Sequence, residues 1–296
     1  MVLGGNTMSL DWRNFTSSEI EKNFNPRIAV PDFATYIEEA QKKANLARKN
    51  LPGKLDVDYG NHPMQKLDVF GLEHLNNAPV HVFIHGGYWR ALDKSDHSHL
   101  AIPFVNNNCL YFTLNYGLCP NVKLTEINNQ IHSAIKWIYK NCHKYGGDPQ
   151  NINICGHSAG AHLCAMLLNT KWENNNFPYD IIKSAYLISG IFEPEVVLKL
   201  SLNEEIGLDE QEVASNTPIP TSKVNSKIFL SAGDIEPPGW IEQTKIYTRK
   251  LKEKGNAVNF QILKKENHFS ILNVLSDSNN KFTKEMITVT RDETNE

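Results

Sequence analysis

The chain has 296 residues, 41% hydrophobic and 21% charged, enough to bury a large core as one α/β domain or two small ones. A net charge of -3 and a pI near 6.4 leave no electrostatic footprint for nucleic acid or an anionic membrane, and no run of like charges stands out. No window approaches a membrane span, and residues 1–27 lack a basic stretch followed by an apolar one. The odd count of five cysteines, without C-x-x-C spacing and mostly in apolar segments, predicts buried free thiols in a reducing compartment, so the expected location is cytoplasmic.

Residues 1–33 are polar and broken by Pro26 and Pro31, which predicts an irregular arm with one short helix. A helix over 33–49 follows. Residues 55–59 and 66–70 alternate apolar and polar side chains across Gly60-Asn61-His62-Pro63, a hairpin pattern expected at the antiparallel edge of a sheet. A buried strand at 80–84 runs into His85-Gly86-Gly87-Tyr88-Trp89. Then come a helix near 95–106, a strand at 109–114, a helix near 123–144 and a strand at 152–155, an alternation that implies parallel pairing through crossovers. Past a strand at 184–189, the polar stretch 192–223 has the length and composition of a cap or lid. A strand at 227–232, a helix near 240–254, a strand at 258–263 and helical patterns complete the chain. With no internal repeat and no linker, residues 1–296 are expected to form a single α/β domain, a mostly parallel sheet with helices on both faces and a small cap.

The chain is organised around Gly156-His157-Ser158-Ala159-Gly160, where an apolar strand enters and a helix pattern leaves. In such a G-x-S-x-G elbow the glycines let strand and helix approach closely, and the serine hydroxyl projects from a strained turn. A serine needs a base, and the base needs a carboxylate to hold its tautomer. In sheets with this elbow the partners follow in the order Ser, Asp/Glu, His, and beyond His162 the sequence holds one histidine, His268, just past the strand 258–263. The acid belongs after the strand 227–232, where Asp234 and Glu236 both stand; their spacing from Gly233 favours Glu236 without closing the choice. His85-Gly86-Gly87 follows an early strand, where an oxyanion loop would sit, so the expected amide donors are Gly86, Gly87 and Ala159.

With these motifs the chain resembles the arylformamidase (kynurenine formamidase) branch of the α/β-hydrolase superfamily, over roughly residues 64–275. His85-Gly86-Gly87-Tyr88-Trp89 resembles its HGGxW motif, Gly156 to His162 is similar to its elbow, and His268-Phe269 matches the pair that carries its base. The resemblance implies Ser158 as nucleophile, His268 as base and an acidic third member, where this chain offers Glu236 and the branch commonly has aspartate. It also implies hydrolysis of N-formyl-L-kynurenine to kynurenine and formate, with no cofactor and no metal. The partner expected is a small aryl formamide, with no nucleic acid and no membrane; a homodimer is left open. Tyr88 and Trp89 are substrate-binding candidates that could instead pack under the loop, and Arg90 is open between pairing with the substrate's carboxylate and simple solvation. A carboxylesterase is the nearest alternative, although Tyr88-Trp89 replaces the third loop glycine of such enzymes. A binding protein would be expected to lack a triad member, and His97-Ser98-His99 lacks the matching ligands of a metal centre.

Overall fold

Short apolar runs and amphipathic stretches alternate along the chain, and most adopt the element their period dictates. The computed structural model describes residues 11–292. Its strands are β1 (Gly53–Asp58), β2 (Lys66–Phe70), β3 (Ala78–Ile84), β4 (Leu110–Leu114), β5 (Gly147–His157), β6 (Ile182–Ile188), β7 (Lys227–Gly233) and β8 (Val258–Leu263). They form one eight-stranded sheet in the order β1-β2-β4-β3-β5-β6-β7-β8. The hairpin β1/β2 lies antiparallel at the edge and β2 pairs antiparallel with β4; every other pairing is parallel.

The helices are α1 (Ser17–Phe24), α2 (Pro26–Ala29), α3 (Phe33–Asn50), α4 (Ala101–Val105), α5 (Leu124–Asn141), α6 (Ala159–Leu168), α7 (Asn203–Ile206), α8 (Glu210–Ser215), α9 (Pro238–Glu253), α10 (Ile271–Ser276) and α11 (Lys281–Thr290). The period of two splits the strands between two cores. Val80, Val82 and Ile84 join Leu110, Phe112 and Leu114 beneath α5, α6 and α9, while Phe83 and Tyr111 face α4, α10 and α11. The helix expected near 95–106 is instead a 3-10 stretch, Lys94–Leu100, continued by the short α4. Pro103 has no amide proton to extend an α-helical ladder there.

The arm is not irregular. Thr16 and Glu19 form a reciprocal capping box on α1, and Asn25 caps α2 ahead of Pro26. Trp12, Ile20 and Phe24 are buried in the main core, and the Trp12 indole donates to Glu193 Oε2 at 2.9 Å. Residues 1–10 lie outside the described residues. The stretch 192–223 is also less polar in place than in composition: Val196, Val197, Leu200, Ile206 and Val213 are buried. Glu212 accepts from Thr125 N at 2.8 Å at the start of α5, and the Asn216 carbonyl lies 2.7 Å from His162 Nε2.

Burial of charge marks the hairpin edge. Asp68 on β2 is fully buried, accepts from Asp56 N at 2.8 Å, and pairs with Lys94 Nζ at 2.9 Å and with the Arg48 guanidinium of α3. Removing the carboxylate would take from the buried Lys94 ammonium its one buried counter-charge and leave it only the exposed Asp56, at 2.6 Å. Asp68→Asn should therefore lower unfolding free energy by about 3 kcal/mol, read by denaturant titration; an unchanged midpoint would refute the role.

Four buried imidazoles set a pH dependence. Burial lowers His81 and His99 to about 3 and His85 and His162 to about 4. Their folded values lie below the unfolded value near 6.5, so their contribution is complete above about pH 6.5 and is lost as pH falls toward 4, by about 1 kcal/mol per pH unit for each ring. Unfolding midpoints should be level between pH 7 and 8 and drop steeply between pH 6 and 4.5. A flat profile across that window would contradict this.

Candidate active site

β5 ends at His157 and α6 starts at Ala159, which leaves Ser158 alone on the bend with φ 57° and ψ −121°. That left-handed backbone is strained for a serine, and its surroundings hold it there. Ser158 N donates to the Ile188 carbonyl of β6 at 2.9 Å, and the Ser158 carbonyl accepts from Ala161 N at 3.0 Å. Both flanking glycines are required by close approach. A Cβ on Gly156 would stand 2.2 Å from the Gly160 carbonyl oxygen, and one on Gly160 would stand 2.0 Å from that of Ile84. The Ala159 amide belongs to the first turn of α6, where no intrahelical acceptor exists and the dipole is positive.

β3 delivers the second wall. His85 is fully buried, stacks on Tyr116 at 4.4 Å and sits with Nδ1 2.8 Å from the Gly86 carbonyl, while the Tyr116 hydroxyl donates to the His85 carbonyl at 2.8 Å. These contacts hold the loop's backbone, and a Cβ on Gly86 would already stand 3.0 Å from Ser158 Cβ. Gly87 has φ +101° and no room for a side chain, since a Cβ would meet the Ala91 carbonyl oxygen at 2.2 Å. The structure thus brings Gly86 and Ala159 against the serine, with Gly87 lining the same cavity.

His268 follows β8 and is buried, with Nδ1 2.9 Å from Glu236 Oε2. The other carboxylate oxygen of Glu236 accepts from Gly233 N at 2.7 Å and Ser189 Oγ at 2.5 Å. A carboxylate at Nδ1 makes that nitrogen the protonated one, which leaves Nε2 as the basic nitrogen. Trp240 meets the His268 ring edge-on at 4.4 Å and His157 lies 4.7 Å away. Burial first, and His268 second, hold His157 well below the usual imidazole range, so the His157 ring stays neutral. Asp234 is exposed and serves another purpose: it accepts from Lys265 N at 2.6 Å and closes the turn before His268. Between the two acids, the hydrogen bond to His268 is made by Glu236.

Ser158, His157 and His268 line one cavity, together with Tyr88 and the aromatic ring of Phe269. Tyr36 of α3 stacks on Phe269 at 6.4 Å and faces the same space. Trp89 does not: it is fully buried, edge-on to Tyr88 at 5.9 Å and to His162 at 5.0 Å, and so packs beneath the loop rather than meeting a ligand. Sequence reasoning missed the other side of the cavity. Asn25, Pro26 and Arg27 line it from the junction of α1 and α2, and the Tyr88 hydroxyl is tied to the Phe24 carbonyl, whereas the stretch 192–223 contributes Leu202. The capping box at Thr16 and Glu19 was the signal that this arm is ordered.

The BD-FAE family model matches residues 67–194. Over 290 residues the chain is 28% identical to a kynurenine formamidase of Danio rerio, covering 93% of this chain and 96% of that protein. It is 29% identical over 218 residues to a kynurenine formamidase of Drosophila melanogaster, covering 70% and 72%. Among solved structures, a candidate thioesterase from Silicibacter sp. TM1040 superposes with a TM-score of 0.78 at 26% identity, covering 92% of this chain and 98% of that one. An esterase of Pyrobaculum calidifontis shares the fold at 17% identity with a TM-score of 0.69, covering 90% and 97%. With the elbow, the His-Gly-Gly loop and near full-length similarity to kynurenine formamidases in hand, the chain has the α/β-hydrolase fold and is similar, over nearly its whole length, to the arylformamidase branch of that superfamily.

Proposed function

We propose that this protein hydrolyses N-formyl-L-kynurenine to L-kynurenine and formate. The observation that carries the reading is one cavity that holds Ser158 and the Glu236-supported His268 between the aromatic side chains of Tyr36, Tyr88 and Phe269. The aromatic walls suit an aryl ring, and the relatives that match nearly the whole chain are kynurenine formamidases.

In the first step Ser158 Oγ attacks the formyl carbon while His268 Nε2 takes the hydroxyl proton and Glu236 stabilises the imidazolium. The carbonyl electron pair moves to oxygen, where the amides of Gly86, Gly87 and Ala159 receive it. The oxyanion collapses, the carbon–nitrogen bond breaks, and His268 returns its proton to the departing aryl amine. A water molecule then attacks the formyl ester on Ser158, with its proton passing to His268 and then to Ser158 Oγ, and formate leaves. An anilide nitrogen departs more readily than an alkyl amine, so esterase machinery suffices for this amide. The whole site is read as the work of one α/β domain, with the arm and the stretch 192–223 beside it. The buried cysteines support a reducing, cytoplasmic setting, and no described helix is long and apolar enough to cross a membrane.

The deciding assay compares kcat/KM for N-formyl-L-kynurenine and p-nitrophenyl acetate on one preparation. Preference for the formyl anilide supports the proposal; ester preference moves the protein to the carboxylesterases. Ser158→Ala should lower kcat by on the order of 10⁴-fold or more with an unchanged circular dichroism spectrum, and retained turnover would remove the serine from its role. Glu236→Gln should lower kcat by on the order of 10³-fold or more, whereas Asp234→Asn should stay near the parent rate. The reverse order would make Asp234 the acid.

A further inference from the structure

We infer, resting on the hydrolase reading above, that Arg27 and Arg90 form a carboxylate-binding subsite at the mouth of the cavity, which selects aryl substrates that carry an acidic side group. Both arginines line the space that contains Ser158 and His268. They reach it from opposite sides: Arg27 from α2 on the N-terminal arm, Arg90 from the turn after Gly86-Gly87.

Charge is unbalanced there. Arg90 Nη1 holds Glu205 at 2.5 Å, yet its Nε is buried with no hydrogen-bond partner, and its side chain is only 13% exposed. Arg27 lies over the Phe33 ring at 5.0 Å, and among the described residues no carboxylate comes within ion-pair distance of it. Burial and the neighbouring Arg90 both disfavour the charge on Arg27, and Glu205 opposes them. One carboxylate therefore serves two guanidiniums, and that carboxylate is 65% exposed on its solvent side. The acid otherwise facing the cavity, Asp96, is already engaged by Gln41 Nε2 at 2.9 Å and by Asp93 N at 3.0 Å. What the mouth lacks is a second anion. Planar guanidiniums match a carboxylate geometrically, and partial desolvation strengthens such pairs relative to open water. A substrate with its formamide at Ser158 and its ring between Tyr88 and Phe269 would extend an acidic side chain toward these two arginines. The arrangement also makes the arm part of the specificity apparatus, since α2 carries Arg27 into the cavity.

The test measures binding, so it does not depend on turnover. Calorimetry is run with 4-oxo-4-phenylbutanoate and with butyrophenone, the same aryl ketone with a methyl group in place of the carboxylate, on the parent protein, Arg27→Met and Arg90→Met. The parent should bind the acid more tightly by about tenfold or more, each variant should lose most of that preference, and high salt should shrink it in the parent. No preference for the acid in the parent, or a preference untouched in both variants, overturns the subsite. The parent comparison stands even where a variant fails to fold. Failure of the formamidase reading shows separately, as absent hydrolysis of N-formyl-L-kynurenine by a parent protein that still prefers the acid.

Discussion

Everything in the site depends on how closely β3, β5 and α6 approach one another. Gly160 lies against the Ile84 carbonyl and Gly156 against Gly160, at distances that leave no space for a methyl group. With those contacts made, Ser158 has nowhere to go but the left-handed turn, and its hydroxyl is presented at the carboxyl edge of the sheet. The same approach sets Gly86 beside Ser158, so the serine turn and one wall of the His-Gly-Gly loop are products of a single packing event. The strain at Ser158 persists because strand, helix and loop over-determine it.

A second constraint operates across the sheet, between the turns after β7 and β8. Gly233 packs against the Glu266 backbone, Asp234 N donates to the Leu263 carbonyl at 2.9 Å, and Ile235 N to that of Glu266 at 3.0 Å. These bonds join the loop that carries Glu236 to the loop that carries His268 before either side chain is considered. Glu236 then receives Gly233 N, Ser189 Oγ and His268 Nδ1, so a buried carboxylate is satisfied from three directions. Its longer side chain lets it reach across from a position two residues beyond Asp234, which is spent on the turn.

The N-terminal arm completes the cavity from outside the sheet. Phe24 is buried against the α9 start, where a side chain on Gly239 would collide with it, and its carbonyl holds the Tyr88 hydroxyl. The arm thus touches the loop on which the candidate oxyanion donors sit and carries Pro26 and Arg27 into the same space.

Much of this was legible in the residues alone, because it is local. Period-two alternation in residues 66–70, the buried apolar run at 80–84, the G-x-S-x-G spacing, and a histidine just past the strand at 258–263 each constrain a few neighbouring backbone angles, and the strands and elbow stand where those patterns put them. Distant contacts were not legible. Trp89 sits in a motif that invites a ligand, yet its ring packs against His162 and Tyr88, and no local pattern distinguishes the two fates. Asp234 and Glu236 both follow the right strand, and only the position of Lys265 N against that of His268 assigns one to the turn and the other to the imidazole. The packing of the polar arm is not legible in its residues, because its few apolar side chains, Trp12, Ile20 and Phe24, are too sparse to signal burial until the surface they cover has been assembled. Sequence by itself determined most of the elements and marked Ser158 and His268 as the candidate nucleophile and base; which acid meets His268, which aromatics face the cavity and which segment covers it were decided by packing between residues far apart in the chain.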